Sequence, residues 1–414
     1  MDPTRKLATI EKIDRLTPIP DSDYLAVATL VGRGWNVVVR KDEVAQGDMV
    51  VFFEIDSVLP AHSCYEFLGR PKTTKVPGIL PDGLHMYHVL KTKKLRGVVS
   101  QGLILTFSHF ARYDMLTDVD VKTGTDLTAV LGIMHIDALR EAEDAATGKG
   151  YTLSGAASLR PLPGFVPVTR QTRIESDTGI LERNAGRTFS VERKYDGSSM
   201  SVFYLDKRKY MQKGITSHHR LLSSPPGFLA RFTDPVKGLP LHIKILKFLG
   251  YAKSFITRVF TRRPGKAQGS TNVFLDTAES MRLLEMAEKT YKATGRNLIY
   301  QGELVGPKCN GNRDCLTEHT WYLFDIYDLD AGEYMLPAER AAFYEQHLKD
   351  YAPSVDTLLI IPDISKYNVD MLQELADYKT NNGNMAEGIV CKSMERPYES
   401  FKCVSRKYLL TRNQ

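Results

Sequence analysis

The sequence has few cysteines, and they do not form the arrangements found in stapled or zinc-bound proteins. Its 414 residues include five cysteines, and no C-x-x-C pair occurs. An odd count without such a pair argues against a disulfide framework and a zinc ribbon, and it favours reduced thiols in a cytosol-like compartment. We therefore expect hydrophobic cores to hold the fold, and 43% hydrophobic residues are ample to build them.

Long apolar runs are also missing. Residues 1–15 are charged and lack the apolar stretch of a secretory signal, and no run reaches the roughly 20 residues that span a membrane. The sequence thus predicts a cytoplasmic or nucleoplasmic monomer without stable membrane association. Lys plus Arg exceed Asp plus Glu by 55 to 49, and this net charge of +6 is informative only where the charge is clustered.

The common nucleotide and hydrolase signatures are absent. There is no G-x-x-x-x-G-K-[ST] loop, and Gly32-Arg33-Gly34 lacks the third glycine of a dinucleotide-binding fingerprint. Neither H-E-x-x-H nor G-x-S-x-G occurs. The sequence therefore offers no motif that favours a P-loop ATPase, a Rossmann enzyme, a zinc protease or an α/β-hydrolase.

What is present divides into two parts. Short runs rich in Val, Ile and aromatic residues alternate with glycine turns in the first part, which predicts a small barrel or sandwich with strands at 24–30, 35–40, 49–55 and 98–107 and a helix at 137–144. Residues 146–166 are rich in Gly, Ser, Ala and Pro and indicate a linker. The second part contains segments with strand periodicity and segments with helix periodicity, which predicts an α+β fold. The predicted strands are 189–193, 199–205, 297–304, 320–327 and 388–392, and the predicted helices are 277–294, 337–349 and 368–378.

One short motif is informative only because four other segments follow it in the chain. Lys194-Tyr195-Asp196-Gly197-Ser198-Ser199 lies between two predicted strands, and alone it is also typical of an Asp-Gly turn with a solvated lysine. The other segments follow it in the chain: Gly302-Glu303-Leu304-Val305-Gly306, Phe324-Asp325-Ile326, Glu387-Gly388-Ile389-Val390 and Ser400-Phe401-Lys402.

These five segments stand in the order of motifs I, III, IIIa, IV and V of the covalent nucleotidyltransferases. The chain resembles the polynucleotide ligases of the lysyl-adenylate superfamily, and most closely the nick-sealing RNA ligase family that carries its OB domain first. Residues 41–60 resemble the OB domain of that family, and so does Thr172-Arg173-Ile174, whose arginine stands 21 residues before the motif I lysine. The resemblance implies an OB-like β-barrel at 1–150, a linker at 151–166 and an adenylyltransferase domain of ATP-grasp-like ligase type at 167–414.

The chemistry that such a lysine performs can be stated from its side chain. The Lys194 amine is a nucleophile only after it loses a proton, and a nearby metal cation and a second lysine both lower an amine pKa. Attack on the α-phosphorus of ATP would form lysyl-AMP, and Asp196, Glu303 and Glu387 would hold Mg²⁺ or Mn²⁺ over the phosphates. Each carboxylate alone is more often a solvated charge, and Asp196 is also suited to a ribose contact.

The resemblance assigns further roles. Lys402 would neutralise the α-phosphate in the transition state, with Arg406 or Lys407 as the second base of motif V. Phe324 would stack on adenine, although a core phenylalanine is the alternative, and Arg173 would reach a phosphate of ATP or of the nicked strand. The implied ATP-binding set is Arg173, Lys194, Asp196, Gly197, Glu303, Phe324, Glu387 and Lys402.

Two departures from the family pattern stand out. His218 occupies the place of the motif Ia arginine, with Arg220 as a substitute, and the pair His218-His219 is more often a surface feature than a metal site. Motifs I and III are 109 residues apart, which indicates an insert at 221–270 with nine Lys or Arg and one Asp. A helix over 241–263 would place four cations on one face, namely Lys244, Lys247, Arg258 and Arg262. This face would either be the solvated side of a helix packed on the catalytic domain, or bind the nucleic-acid backbone, or lie on a membrane surface.

Together these observations predict an ATP-dependent RNA ligase that acts in RNA repair. It would seal 3′-OH/5′-phosphate nicks in RNA or RNA-containing duplexes through Lys194-AMP and an AMP-capped 5′ end, while the OB domain clamps nucleic acid or orients pyrophosphate. A DNA ligase or a capping guanylyltransferase is the rival enzyme, but these usually place an OB domain after motif V. A non-catalytic RNA-binding protein with a ligase-like fold is the rival of another class, and it would be expected to have lost the lysine or the carboxylates.

Overall fold

The computed structural model describes most of the chain. The described residues are 5–80, 83, 85–147, 158–168, 171–206, 208–210, 212–218, 220–223 and 272–412. The four cations of the predicted helical insert lie outside these ranges. Among the described residues, no helix combines the length and the apolar character needed to cross a bilayer.

The N-terminal part is built from short strands, as the glycine-punctuated runs predict. Its strands are β1 (Ala8–Pro18), β2 (Leu25–Leu30), β3 (Asn36–Arg40), β4 (Met49–Phe53), β5 (Ser57–Pro60), β6 (Lys72–Thr73), β7 (Met86–Val89), β8 (Lys93–Leu95), β9 (Val98–Ser100), β10 (Leu103–Thr106) and β11 (Met134–His135). Its helices are α1 (Phe107–Ala111), α2 (Ile136–Thr147) and the 3₁₀ turn Ser63–Leu68.

Most of these strands form two curved sheets. One has the order β10-β4-β1-β2-β3 and the other the order β11-β5-β7-β6, while β8 and β9 form a separate hairpin. The prediction of one strand over 98–107 is wrong, because Gly102 breaks it with a φ of +111° and lies against Phe52 and Phe53, where a Cβ atom would be 2.5 Å from the Phe52 ring. The long β1 was not predicted, since its outer half alternates charged and apolar residues only weakly.

The second part contains both strands and helices, which confirms its mixed character. Its strands are β12 (Ser158–Pro161), β13 (Thr172–Arg173), β14 (Phe189–Lys194), β15 (Ser198–Tyr204), β16 (Lys213–Ser217), β17 (Arg220–Ser223), β18 (Leu298–Val305), β19 (Thr320–Asp328), β20 (Glu333–Tyr334), β21 (Thr357–Ile361), β22 (Gly388–Ser393) and β23 (Ser400–Val404). The first of these falls within the stretch predicted as linker and pairs with β17.

The helices of this part flank the strands. They are α3 (Gly179–Arg183), α4 (Val273–Ser280), α5 (Leu283–Thr294), α6 (Pro337–His347), α7 (Val369–Ala376), α8 (Arg406–Arg412) and the 3₁₀ turns Ile174–Ser176 and Ile364–Lys366. The single helix predicted at 277–294 is wrong. Arg282 has a φ of +55°, in the left-handed region, and this ends α4 before α5 begins.

The second part contains two larger sheets, and the place where the chain crosses between them defines where a site can form. One has the order β12-β17-β16-β15-β18-β19-β20, and the other has the order β13-β23-β22-β14-β21. Strand β14 belongs to the second sheet, and the chain crosses from it into β15 of the first sheet through residues 195–197. Motif I therefore lies at the junction of the two sheets.

The two parts of the protein share a hydrophobic core. Val404, Tyr408 and Leu409 at the end of the second part pack with Trp35 and Phe52 of the first part, and all five are buried. This shared core holds the N-terminal sheet against the end of β23, which carries motif V.

Candidate active site

Lys194 is the last residue of β14 and lies beside motif IV. The strand register places it opposite Gly388 of β22. Its Nζ atom is 2.8 Å from an Oε atom of Glu387, the residue that precedes Gly388. Two segments separated by almost 200 residues thus meet because their strands are neighbours in one sheet.

Glu303 approaches from the other sheet. It lies on β18, where the register places it between Ser199 of β15 and Tyr322 of β19. The approach depends on Gly197, because a Cβ atom there would lie 2.3 Å from the carbonyl oxygen of Leu304 and 2.9 Å from Cγ of Glu303. The glycine of motif I is therefore required for contact with motif III.

The charges of Lys194 and the neighbouring carboxylates shift one another's pKa values. Burial acts to lower the pKa of Lys194, but the Glu387 and Glu303 carboxylates outweigh it and hold that pKa above its usual value. Burial raises the pKa of Glu303 to about 8, and the Glu387 and Asp196 charges act in the same direction while Lys194 opposes them. In the protein alone the amine is therefore charged, so the expected lowering of its pKa requires additional positive charge near the carboxylates.

Lys402 and Arg173 form the basic side of the site. They are paired residues on the parallel strands β23 and β13. Burial, together with the positive charges of Arg173, Lys194 and Arg5, lowers the pKa of Lys402 to about 7. One terminal nitrogen of Arg173 donates to Asp56 of the N-terminal part at 3.0 Å, while its Nε and Nη1 atoms are buried without a hydrogen-bond partner. Both side chains are thus suited to bind an anion.

Asp196 is engaged by a residue that the sequence analysis did not single out. Its carboxylate accepts a hydrogen bond from Nε of Arg313 at 3.2 Å, and the Arg313 guanidinium lies 4.4 Å from the ring centre of Tyr408. Asn310 of the same β18–β19 connection donates to the carbonyl oxygen of Gly197 at 2.6 Å. This connection covers motif I, and no local pattern indicates it because the Asp196–Arg313 contact spans 117 residues.

Phe324 lies at an irregularity in the sheet. The register between β18 and β19 shifts so that Gln301 faces Asp325 and Gly302 faces Leu323, which leaves Phe324 without a partner on β18. A bulge of this kind re-aims a side chain. The ring is half-buried, and it packs against a cluster that includes Tyr195.

Four buried charged residues lie behind Phe324. Lys392 donates to Asp325 at 2.7 Å and lies 3.0 Å from Glu192, and Arg340 pairs with the same two carboxylates. Burial acts to raise the pKa of Glu192, but Lys392 and Arg340 outweigh it and hold that pKa below its usual range. Lys392 also donates to the carbonyl oxygen of Phe324 at 2.6 Å. Removal of one partner from such a group costs about 3–5 kcal/mol, so the group fixes the position of Phe324.

The remaining predicted residues lie around this centre. His218 and Ser217 line a small recess together with Ser199, Thr216 and Gln301. Arg220 begins β17 and is half-buried.

The two candidates for a second motif V base are engaged elsewhere. Arg406 donates to Gln101 at 3.1 Å and pairs with Asp370 at 3.3 Å. Lys407 is exposed and pairs with Asp377 at 3.3 Å. Both therefore stabilise the surroundings of the site in this structure.

The fold and this group of residues define the class of protein. Lys194, Glu303, Glu387 and Lys402 come together at the junction of the two sheets, and they are the motif residues that the sequence predicts for a covalent nucleotidyltransferase. Residues 7–107 match a family described as an OB-fold domain, and residues 187–405 match the family described as RNA ligase. The chain belongs to the RNA ligase family and carries its OB-fold domain first.

Solved structures of similar proteins agree with this assignment. An RNA ligase of Naegleria gruberi, as a lysine-to-alanine mutant with ATP and Mn, is 26% identical with a TM-score of 0.73, and the match covers 98% of both chains. The same ligase with PPi, and a glutamate-to-alanine mutant of it with AMP and Mn, match at 26% identity and a TM-score of 0.72 over 98% of both chains. No curated protein shows significant similarity to the chain.

Proposed function

We propose that this RNA ligase uses ATP to seal 3′-OH/5′-phosphate nicks in RNA or RNA-containing duplexes through Lys194-AMP. The observation that carries the proposal is the contact of Lys194 with Glu387 at 2.8 Å, beside Glu303 and with Lys402 two strands away in the same sheet. This is the set of groups that lysine adenylylation needs. The bound ATP and PPi of the similar Naegleria gruberi structures support the same nucleotide.

The reaction would proceed in three balanced transfers. First, the deprotonated Lys194 amine attacks the α-phosphorus of ATP, the N–P bond forms, and the bond to the β-phosphate breaks with release of pyrophosphate. Second, an oxygen of the 5′-phosphate attacks the same phosphorus, and the amine leaves and regains a proton. Third, the 3′-OH loses its proton and attacks the 5′-phosphorus, and AMP departs as the phosphodiester forms.

The protein residues contribute charge and position to these transfers. Lys402 and the unpaired nitrogens of Arg173 would bind phosphate oxygens, which gain negative charge in the transition state. Phe324 would hold the adenine ring, since the four buried charges behind it fix its backbone. The OB-fold domain contributes Asp56, which orients Arg173.

The carboxylates fit a divalent cation. Glu303 is half-buried beside Glu387 and Asp196, and burial together with the charges of these two carboxylates raises its pKa, an effect that a cation would oppose. Within the part of the chain that the structure describes, no three His, Cys, Asp or Glu side chains form a ready-made metal site. We therefore propose that Glu303 and Glu387 hold Mg²⁺ or Mn²⁺ together with phosphate oxygens and water, with Asp196 as a third donor once its contact with Arg313 opens. When bound, the cation would supply positive charge that favours the neutral amine.

Incubation with labelled nucleotide tests the proposed function. The protein is incubated with Mg²⁺ and either α-labelled ATP or α-labelled GTP and then resolved on a denaturing gel, and nicked RNA, RNA-containing and all-DNA duplexes are offered in parallel. We expect a covalent label from ATP only and sealing where the 3′-OH strand is RNA. A label from GTP would indicate a guanylyltransferase, equal sealing of all-DNA nicks would indicate a DNA ligase, and no label at all would indicate a non-catalytic protein.

We expect the Lys402 amine to take up a proton when ATP binds. Because the pKa of Lys402 is about 7 in the protein alone, its amine is mostly neutral at pH 8. The negative charge of a bound α-phosphate should raise this pKa, so that the amine becomes protonated. Binding of α,β-methylene-ATP with Mg²⁺ should therefore take up close to one proton more in the wild type than in Lys402→Arg at pH 8, since a guanidinium stays charged. The difference should shrink at pH 6, where the amine is already protonated.

Calorimetry in two buffers of different ionisation enthalpy measures this uptake. The comparison of the two proteins removes proton exchange at the carboxylates, which both retain. Equal uptake at pH 8 would contradict the placement of Lys402 at the α-phosphate.

The basic insert gives a separate prediction from the sequence. Replacement of Lys244, Lys247, Arg258 and Arg262 by Ala should weaken binding of nicked duplex at about 0.15 M salt, and each lost phosphate contact should flatten the log–log salt dependence by about one. Lys194-AMP formation should be spared, because the ATP contacts lie in the motifs. Unchanged affinity and slope would show a merely solvated face, and loss of adenylylation would indicate a structural helix.

A further inference from the structure

The OB-fold domain carries a one-sided cluster of positive charge. Residues 83–113 contain five Lys or Arg and no Asp or Glu. Four of the five lie on or beside the β8–β9 hairpin, and we call residues 91–100 the basic hairpin. They are Lys91, Lys93, Lys94 and Arg96.

These four cations are free to meet a partner. All four side chains are exposed, and no carboxylate of the described residues lies within 4.0 Å of their nitrogen atoms. On α5, by contrast, Lys289 and Lys292 each pair with a glutamate one helical turn away. The charge of the basic hairpin is therefore not neutralised within the described protein.

The backbone does not explain the arginine at the tip. Arg96 and Gly97 have φ values of +47° and +82°, which is the pattern of a two-residue hairpin turn. Asn, Asp and Gly favour both positions of such a turn, and Gly97 conforms while Arg96 does not. A guanidinium is thus placed at the exposed tip of the hairpin against the local conformational preference.

Both ends of the basic hairpin are anchored beside the active site. On one side, Leu90 exchanges backbone hydrogen bonds with Asp56 and Ser57, and Asp56 binds Arg173, which pairs with Lys402. The geometry of this end ties the hairpin to the proposed phosphate site.

The other end is tied to motifs IV and V. Gln101 follows β9 directly and accepts a hydrogen bond from Arg406 at 3.1 Å. Ser405, the neighbour of Arg406, donates from its backbone to the carbonyl oxygen of Glu387 at 2.9 Å. The basic hairpin thus rises from the edge of the OB-fold domain that faces the reacting groups.

We propose that the basic hairpin binds the phosphate backbone of the nicked duplex and so places the nick over Lys194. This inference rests on the proposed function and assigns one surface to its nucleic-acid substrate. A duplex carries closely spaced phosphates, and lysine and arginine contacts to them are favourable because they release condensed counterions. Four such contacts position a duplex without reading its sequence.

A charge-removal variant tests the proposal. In the full-length protein, Lys91, Lys93, Lys94 and Arg96 are replaced by Ala, and binding to a nicked RNA-containing duplex is measured from about 0.05 to 0.3 M salt. We expect affinity at about 0.15 M salt to fall at least tenfold and the log–log slope to flatten by about 3 to 4. The label on Lys194 from ATP should stay within about twofold of wild type, since no ATP contact is removed.

A matched control separates the position of the charges from their number. The control replaces Lys289, Lys292, Lys349 and Lys366 by Ala, which removes the same charge from exposed sites of the catalytic domain. It should bind the duplex within about twofold of wild type. Equal weakening in the control, or an unchanged slope in the hairpin variant, would overturn the proposal.

A measurement without any variant guards against a folding defect. Wild-type protein is acetylated with and without the nicked duplex, and the modified lysines are identified by mass spectrometry. Protection of Lys91, Lys93 and Lys94 but not of Lys289 supports the proposal, and equal modification of all four overturns it. Failure of the proposed function would be visible separately, as absence of Lys194-AMP in the wild type.

Discussion

Replacement of Lys194 by alanine is expected to abolish the covalent label from α-labelled ATP. The Lys194 amine contacts Glu387 at 2.8 Å and is also influenced by Glu303, and we expect no other amine to be placed for in-line attack on the α-phosphorus. A denaturing gel should show a loss of at least a thousandfold, limited by background. Sealing of a nick that already carries an AMP-capped 5′ end should be only partly impaired, because the final transfer does not require the nucleophile.

Lys292→Ala is the matched control for this experiment. Lys292 is exposed on α5 and pairs with Glu288, so its loss removes a lysine that lies outside all the motifs. The control should label like the wild type. Retention of the label in Lys194→Ala would show that a different residue is adenylylated.

Glu303→Ala and Glu387→Ala are each expected to reduce Lys194-AMP formation by about 100-fold or more at saturating Mg²⁺. Each change removes a carboxylate from the pair that would hold the cation, and electrostatic groups of this kind are typically worth such factors. The initial rate of labelling with ATP measures the effect. Raising the Mg²⁺ concentration should not restore the rate, because the position of the cation and not its occupancy is lost.

Glu318→Ala provides the control for the loss of a glutamate. Glu318 is exposed on the same β18–β19 connection and has no role in the proposed chemistry. Thermal unfolding of all three variants verifies that the fold persists. If Glu303→Ala and Glu387→Ala both label at the wild-type rate, the glutamates do not hold the cation.

The sequence predicts the centre of the site better than its surroundings. Lys194, Glu303 and Glu387 were singled out because their short motifs follow one another in the order found in the covalent nucleotidyltransferases, and the strands next to these motifs were predicted from their apolar runs. Gly197 and Gly388 could be read as markers of close approach, since a Cβ atom at 388 would lie 2.2 Å from the carbonyl oxygen of Cys403.

The residues around the centre of the site were not predicted from the sequence, because they depend on contacts between segments that are distant in the chain. Arg340 lies on a helix outside all motifs and reaches Glu192 across 148 positions, and Arg313 reaches Asp196 across 117. The basic hairpin was not predicted: only its second strand, β9, lies within the run 98–107 that was predicted as one strand, and the break of that run at Gly102 depends on packing against Phe52. Composition and periodicity carry no signal for such pairings.

The shared core of Trp35, Phe52, Val404, Tyr408 and Leu409 has a consequence for biosynthesis. On the ribosome, the OB-fold domain is synthesised first, yet part of its core is supplied by residues that follow almost 300 positions later. At about 5–20 residues per second, the domain waits roughly 15–60 s for those residues. During that interval the side of the OB-fold domain that carries Trp35 and Phe52 stays accessible to chaperones. Docking of α8 then completes the OB-fold core and places motif V against the domain in the same step.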